Sequence, residues 1–296
     1  MRMNKLRADV QALLYLLPFL VIYILFTIWP MIKGVNMTFY KWTLIRKMKY
    51  VGWDNYSRMI HDNEMWSAIW HSVIFVVLTT PTMVILAIAL AMIANRKSRL
   101  QRLYRSVFFL PSVLSVAVAS FLGLFVFQPY TGLVNSVLHL VRLLPENSEI
   151  FWLNETNLSW IAIALITLWW TVGFNFILYL SAMQDIPDEI YEAARLDGAN
   201  DRQIFFRITF PYLNPITKTI TMLQIIASFK VFMQIYIITG GGPLDKTRPI
   251  IQLIYQTGFK KNDLGYAATM SYMLFAILLV LSIFQYWLNN RKGANA

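Results

Sequence analysis

The chain has 296 residues, 57% hydrophobic and 14% charged, and 26 lysines and arginines against 15 acids leave a net charge of +11. A soluble domain carries about 25% charged residues, so the composition points to lipid as the solvent. The absence of cysteine excludes disulfides, thiol nucleophiles and thiolate-bound metals, and His61, His71 and His139 are too widely spaced for a metal-ligand pair.

A helix crossing the hydrocarbon core needs roughly 20 predominantly apolar residues. In chain order, spans are predicted at about 10–32, 72–94, 106–128, 158–184, 215–239 and 266–290. The fifth is interrupted by Lys218 and Lys230. "MRMNKLRADV" ahead of the first span has the charge of a signal-peptide n-region. The apolar run is too long for an h-region and no A-x-A-like site follows, so an uncleaved first helix is expected. Pro18 within it is tolerable where neighbours satisfy the freed carbonyl. The expected fold is an all-α integral membrane protein of six transmembrane helices, a single transmembrane domain over 1–296.

Six spans put both termini on one side. With the termini in the cytoplasm, inner segments hold 13 of the cations and outer segments 11. The dense cluster "NRKSRLQRLYR" in one short loop favours that choice under the positive-inside rule. The basic residues therefore flank spans, and no nucleic-acid partner is expected. The outer segments are then about 33–71, 129–157 and 240–265. Their mixed aromatic and polar runs, "YVGWDNYSRMI" and "EIFWLNETNLSW", suggest small ordered lobes, with Trp and Tyr also suited to an interfacial belt. "ITGGGPLDK" is glycine-rich, but Lys246 lacks Walker A spacing, so a tight turn after span five is expected, with Gly supplying positive φ and Pro243 stopping the helix. No catalytic residue, metal or cofactor is expected, and no ATP hydrolysis by this chain.

The segment 186–211, between spans four and five, is charged and compact. Pro187 suits a first turn, and Asp188 and Glu189 suit the positive end of a helix dipole. Gly198 is the residue for a left-handed C-terminal cap, and Asn200 with Gln203 forms a variant capping box. The spacing predicts helix, glycine elbow, helix, running through "RQIFFRITF" to Pro211. Small Ala193 and Ala194 beside Glu192 would let another backbone approach. The first helix is acidic, which suits a protein partner better than anionic lipid.

Glu192-Ala193-Ala194, three residues, Gly198, nine residues, Ile208 and Pro211 resemble the EAA signature of ABC-importer permease subunits, with Phe210 where the pattern has Leu. "VGWDNY" (51–56), "FFLPSVLS" (108–115), "WWTVGFNFILYLSAMQDIP" (169–187) and "FKVFMQIYIITGGGP" (229–243) are similar to the carbohydrate-uptake branch, the maltose- and glycerol-phosphate-type permeases. The resemblance covers nearly the whole chain. It implies that 186–211 is a cytoplasmic coupling-helix loop, with Glu192, Ala193, Ala194, Asp197 and Gly198 docking an ATPase. The implied partners are two copies of a cytoplasmic ABC ATPase, a second permease subunit, an extracytoplasmic solute-binding protein and membrane lipid. The implied setting is the bacterial cytoplasmic membrane, and the implied cargo a carbohydrate.

A sugar path needs aromatic faces and amides. Candidates are Trp170, Asn175 and Tyr179 in span four, and Gln224, Lys230 and Gln234 in span five, with Ser228 and Phe232 nearby. Trp169, Asn175 and Tyr179 do not share one helical stripe, so they cannot all face one path. Asn175 reads equally as an interhelical hydrogen bond. Lys230 is the one charge deep in a span, about 12 Å from its outer end at 1.5 Å per residue, and reads equally as a snorkelling side chain. A permease for another solute class, a channel or an ion-coupled secondary transporter remain as alternatives. No Asp or Glu lies within any predicted span, which argues against ion coupling.

Overall fold

A computed structural model describes residues 14–96, 99–145 and 147–293. The start of the first predicted span (10–13) and the flanking cations Arg2, Lys5, Arg7 and Lys97 lie outside them. Among the described residues the chain is mostly helical, with one two-stranded antiparallel sheet. It divides into two compact units: residues up to Asn63 with Ile254–Ile277, and Glu64–Leu253 with the segment from Leu278 onward.

In the first unit, helix α1 (Leu14–Thr38) is exposed along its apolar stretch, as a lipid-facing helix would be. A π-turn at Ile24–Ile28 sets the Trp29 N–H on the Ile24 carbonyl just ahead of Pro30. Proline removes a donor and crowds the preceding turn, and the wider turn accommodates it. A hairpin follows, β1 (Tyr40–Trp42) against β2 (Lys47–Tyr50), with Tyr40 facing Tyr50 and Lys47 Nζ 3.2 Å from the Tyr40 ring centroid. Short helix α2 (Asp54–Ile60) carries buried Asn55, whose amide donates to the Thr38 and Tyr40 carbonyls. Arg58 pairs with Asp263 at 2.8 Å, and the Tyr266 hydroxyl donates to Asp62. The ordered lobe expected from "YVGWDNYSRMI" is therefore present, with Phe39, Trp53 and Tyr56 packed on one another.

The second unit is built round α7 (Thr156–Gln184), the most buried of the long helices. Against it pack α3 (Asn63–Asn95), α4 (Gln101–Phe109) with its 3-10 extension Leu110–Val113, α5 (Val116–Val126), α10 (Asn214–Phe229) and α11 (Met233–Ile238). One apolar cluster joins Met83, Ala87 and Ala91 of α3 to Phe176, Tyr179 and Met183 of α7; a second joins Phe75, Trp160, Ile163 and Ile166 to Val231 and Ile235. Gly173 allows α7 to approach the end of α4 closely. A Cβ there would lie 2.5 Å from Ser112 Oγ and 2.7 Å from the Phe108 carbonyl oxygen. Hydroxyls inside the long helices mostly bond carbonyls one turn back, as Thr79 does to Phe75 and Thr167 to Ile163, which removes free polar groups from an apolar setting.

Two predicted spans differ from a straight helix. The third, 106–128, bends by 98° between Gln101–Val113 and α5. Pro111 shortens the turn to 3-10 geometry, and Ser115 in an extended conformation caps α5 by accepting from the Val118 N–H. The fifth, 215–239, divides into α10 and α11 with a non-helical break over 230–232. Four helices among the described residues are long and apolar enough to cross a membrane, or five if the bent pair is one span. A composition window cannot see backbone breaks, which is why six continuous spans were expected.

In the segment 129–157, helix α6 (Leu133–Leu140) carries buried Asn135. Its amide reaches the Pro129 carbonyl and Glu149, and its oxygen accepts from the Trp152 indole at 2.8 Å. Trp152 is thus a pin of an ordered lobe. Gly240 and Gly241 take the positive φ expected of them, but the helix already ends at Ile238, five residues before Pro243.

Candidate functional site

A cavity of about 630 Å³ opens in the second unit. Its wall is continuous with the stretch of α7 that carries Trp170, Thr171, Phe174 and Asn175, and α10 and the break after it supply Gln224, Ser228, Lys230 and Val231. Trp170 is fixed at both ends: its indole N–H donates to the Leu114 carbonyl at 2.9 Å, and its own carbonyl accepts from Ser112 Oγ at 3.0 Å. The donor is spent, so what the indole offers is an apolar face.

Polar side chains run across three helices at the cavity wall. The Asn175 amide donates to Gln224 Oε1 at 3.4 Å, Gln224 Nε2 donates to Ser228 Oγ at 3.3 Å, and Ser228 meets Thr79 Oγ1 at 3.0 Å. All four residues are buried. The first two bonds are long, which leaves the amides with unspent capacity toward the cavity. Asn175 ties α7 to α10, as the interhelical reading expects, and it also lines the cavity.

The break in the fifth stretch sits at this wall. Lys230 is the C-cap of α10 (φ −91°, ψ 8°) and exposed, so it is not a mid-helix charge. A cation at a helix C-terminus interacts favourably with the free carbonyls there, by about 0.3–1 kcal/mol. Non-helical backbone within a membrane is tolerated where it lines a cavity, and Lys230 and Val231 do so. Of the six path candidates, Trp170, Asn175, Gln224, Lys230 and Gln234 line one cavity. Tyr179 does not; it is fully buried in the cluster with Met83, Phe176 and Leu213. Phe232 is not among the lining residues either. The sequence reading missed Thr79, Ser112, Thr167 and Thr171, whose only signal was a hydroxyl inside an apolar run.

The charged segment forms α8 (Asp188–Leu196), with Pro187 at the N-cap rather than inside the first turn. It ends in a Schellman motif: Gly198 at φ +79° donates its N–H to the Arg195 carbonyl at 3.0 Å, and the Ala199 N–H reaches the Ala194 carbonyl at 2.9 Å. Asn200 and Gln203 form both bonds of the capping box, each 2.9 Å, at the start of α9 (Asp201–Ile204). A π-turn over Phe205–Thr209 then carries the helix past Pro211 into Tyr212, so the proline does not end it. This repeats the device ahead of Pro30.

Both elbow ends thus satisfy their backbone internally, and α8 buries no residue. Glu192, Ala193, Asp197 and Gly198 are exposed and Ala194 is half-buried. A Cβ at Gly198 would meet nothing within 4 Å. Leu196, 89% exposed beside this open space, is an apolar knob the sequence reading passed over. Its signal was a lone leucine at the end of an acidic helix.

Residues 56–293 match the family described as the inner membrane component of binding-protein-dependent transport systems. The chain belongs to this family. The permease is 32% identical over 273 residues to the multiple sugar-binding transport system permease protein of Streptococcus mutans, covering 92% of each chain. It superposes with a TM-score of 0.87 and 22% identity on a chain of a bacterial ABC transporter involved in the import of the acidic polysaccharide alginate, covering 98% of this permease and 99% of that chain. A second structure of a bacterial alginate ABC transporter, in complex with an alginate pentasaccharide-bound periplasmic protein, gives 0.85 at 22% identity, covering 97% and 96%. These likenesses establish the fold of a multi-pass ABC permease.

Proposed function

We propose that this permease is the transmembrane subunit of an ABC importer that takes a carbohydrate, a sugar or oligosaccharide, across the bacterial cytoplasmic membrane. In this reading the chain is one transmembrane domain with six crossings, both termini cytoplasmic, the bent and broken stretches each counting as one crossing. ATP hydrolysis belongs to two ATPase subunits seated on the 186–211 loops of this chain and a second permease. An extracytoplasmic binding protein delivers the solute. The sugar transport of the Streptococcus relative and the alginate import of the structural neighbours, one of them bound to a periplasmic protein, support the carbohydrate and binding-protein assignments.

The observation that carries the mechanism is α8 itself: a helix closed by a glycine cap, with no fully buried residue, presenting Glu192 and Ala193 and, at its end, Asp197 and Gly198. Closure of the ATPases on ATP would pull this helix and, through Ile186 and Ile204, the buried ends of its two neighbours. The cavity then opens alternately to each side. Trp170 offers a ring face for a sugar, and Asn175, Gln224 and Gln234 offer amides for hydroxyls; Lys230 stands at the wall. Tyr179 contributes packing.

The test is uptake of labelled oligosaccharide into proteoliposomes holding the assembled transporter and its binding protein. ATP-dependent accumulation, at least tenfold reduced by Asn175→Leu together with Trp170→Ala, is expected. Uptake that follows a proton or sodium gradient without ATP would contradict the proposal.

A further inference from the structure

Among the described residues, Lys230 is the one cation on the cavity wall, and no Asp or Glu lines that wall. The sequence carries no acid between Glu64 and Glu146, between Glu155 and Asp185, or between Asp201 and Asp245. Every lining residue falls within one of these three runs. Among the described residues Lys230 has no carboxylate within ion-pair distance. An ionisable side chain at membrane depth is costly, and it pairs with an opposite charge or marks a solute path.

Its depth works against an ordinary escape to surface water. Ser228, two residues ahead of Lys230, meets Thr79 Oγ1 at 3.0 Å, and Thr79 stands midway along the 33 residues of α3. Lysines that snorkel do so near helix ends of a span, whereas Lys230 sits at the break beside the middle of α3 and faces the cavity. The carbonyls at the end of α10 offer about half a negative charge. They hold the ammonium in place without neutralising it.

The rest of the wall narrows what can answer that charge. A cationic or zwitterionic solute would bring an amine with no carboxylate to meet it. A phosphate ester carries about −1.5 to −2 charges, more than one ammonium offsets, and no arginine lines the cavity to add a fork. One carboxylate matches one ammonium, a compact point charge with three donors. Trp170 presents an apolar ring face, and the Asn175 and Gln224 amides keep hydrogen-bonding capacity, which suits a ring bearing hydroxyls. The cavity, about 630 Å³, falls in the usual range of roughly 300–1,000 Å³ for small-molecule sites.

We infer that the carbohydrate taken by this cavity carries one carboxylate on the bound unit, as a uronate does, with Lys230 as its charge partner and Asn175 and Gln224 bonding its hydroxyls. The inference rests on the carbohydrate reading above and narrows it to acidic sugars.

The test gives ATP to proteoliposomes holding the assembled transporter and its binding protein. The solutes are neutral oligosaccharides mixed with their uronate-bearing counterparts, from digests of xylan, pectin and bacterial exopolysaccharide. Mass spectrometry identifies what accumulates, and uronate-bearing species are expected at least tenfold over neutral ones of the same length. Lys230→Gln should cut their uptake at least tenfold, and Lys230→Arg should keep most of it. Because the chain has no native cysteine, Lys230→Cys gives a second readout. An ammonium-bearing thiosulfonate reagent should restore uronate uptake and its neutral analogue should not, with the native complex treated alike as control. Restoration also shows that the variant is folded. The inference is overturned if neutral sugars accumulate as well as uronates do, or if Lys230→Gln leaves uronate uptake intact. It is equally overturned if Lys230→Gln lowers neutral and uronate uptake alike, which would make Lys230 structural or the partner of a carboxylate on the second permease. No ATP-dependent accumulation of any carbohydrate would instead overturn the carbohydrate reading itself, which keeps the two failures distinct.

Discussion

The cavity wall and the α8 elbow are both polar features of a membrane permease, and they handle polarity in opposite ways. At the wall, Asn175, Gln224, Ser228 and Thr79 are buried and spend their side chains on one another. At the elbow, the caps at Gly198 and Asn200 satisfy the backbone locally, and Glu192, Ala193, Arg195 and Leu196 of α8 are exposed, while Tyr191 meets the Thr209 hydroxyl at 3.2 Å. The difference separates two tasks. On the proposed function, the wall would hold helices together while keeping some hydrogen-bonding capacity for a passing solute, and the elbow would keep its shape when a partner pulls on it. Interior substitutions should therefore act on stability and path together, and elbow substitutions mainly on coupling, with any loss of stability confined to the elbow.

The largest expected effect is at a close helix–helix contact in the interior. Gly173→Leu forces side-chain atoms against the backbone of Phe108 and Phe109, where even a Cβ would be 2.7 and 2.9 Å away. Overpacking of this kind costs about 1–3 kcal/mol or more, read as a lower melting midpoint of the purified permease. Gly198→Val comes next. A β-branched residue at φ +79° is strained by about 1–2 kcal/mol, yet it displaces nothing. The permease should melt nearly as the native protein does and lose its stimulation of ATPase activity. Equal loss of melting midpoint in the two variants would break the comparison.

Ser228→Ala removes the joint between Gln224 and Thr79. Interhelical hydrogen bonds in membranes are worth on average about 0.6 kcal/mol, so a small loss of midpoint with altered solute KM is expected. Asn200→Ala is smallest in reach, costing about 1 kcal/mol of local helix stability. Hydrogen exchange should rise at Gln203 and its neighbours and leave α7 protected.

The elbow was largely legible in the sequence because its determinants are local. Gly198, Asn200 and Gln203 each act within a few residues, and the caps formed as the spacing required. The cavity was legible only in part. Trp170, Asn175 and Gln224 stand out as polar or aromatic residues in apolar runs, but which of them converge depends on how α7, α10 and α11 pack. Tyr179 sits one turn beyond Asn175 and turned out to be core. The break at Lys230 was hidden because valine and phenylalanine follow it, and neither is a breaker. The bend at Ser115 needed its cap geometry, with Pro111 the only advance sign. The hydroxyls of Thr79 and Ser112 carry no pattern at all; only the packed helices give them partners.

One measurement addresses the docking role of α8 most directly, and the absence of native cysteine makes it clean. Ala193→Cys, on the exposed face of α8, is treated with a short bifunctional crosslinker in membranes holding the assembled transporter. A single crosslinked product with the ATPase is expected, weakened when Glu192→Lys is added, and none from Lys49→Cys in the hairpin. If Ala193→Cys yields no ATPase adduct, or only one matched by Lys49→Cys, α8 is an ordinary surface helix and the coupling role assigned to it is wrong.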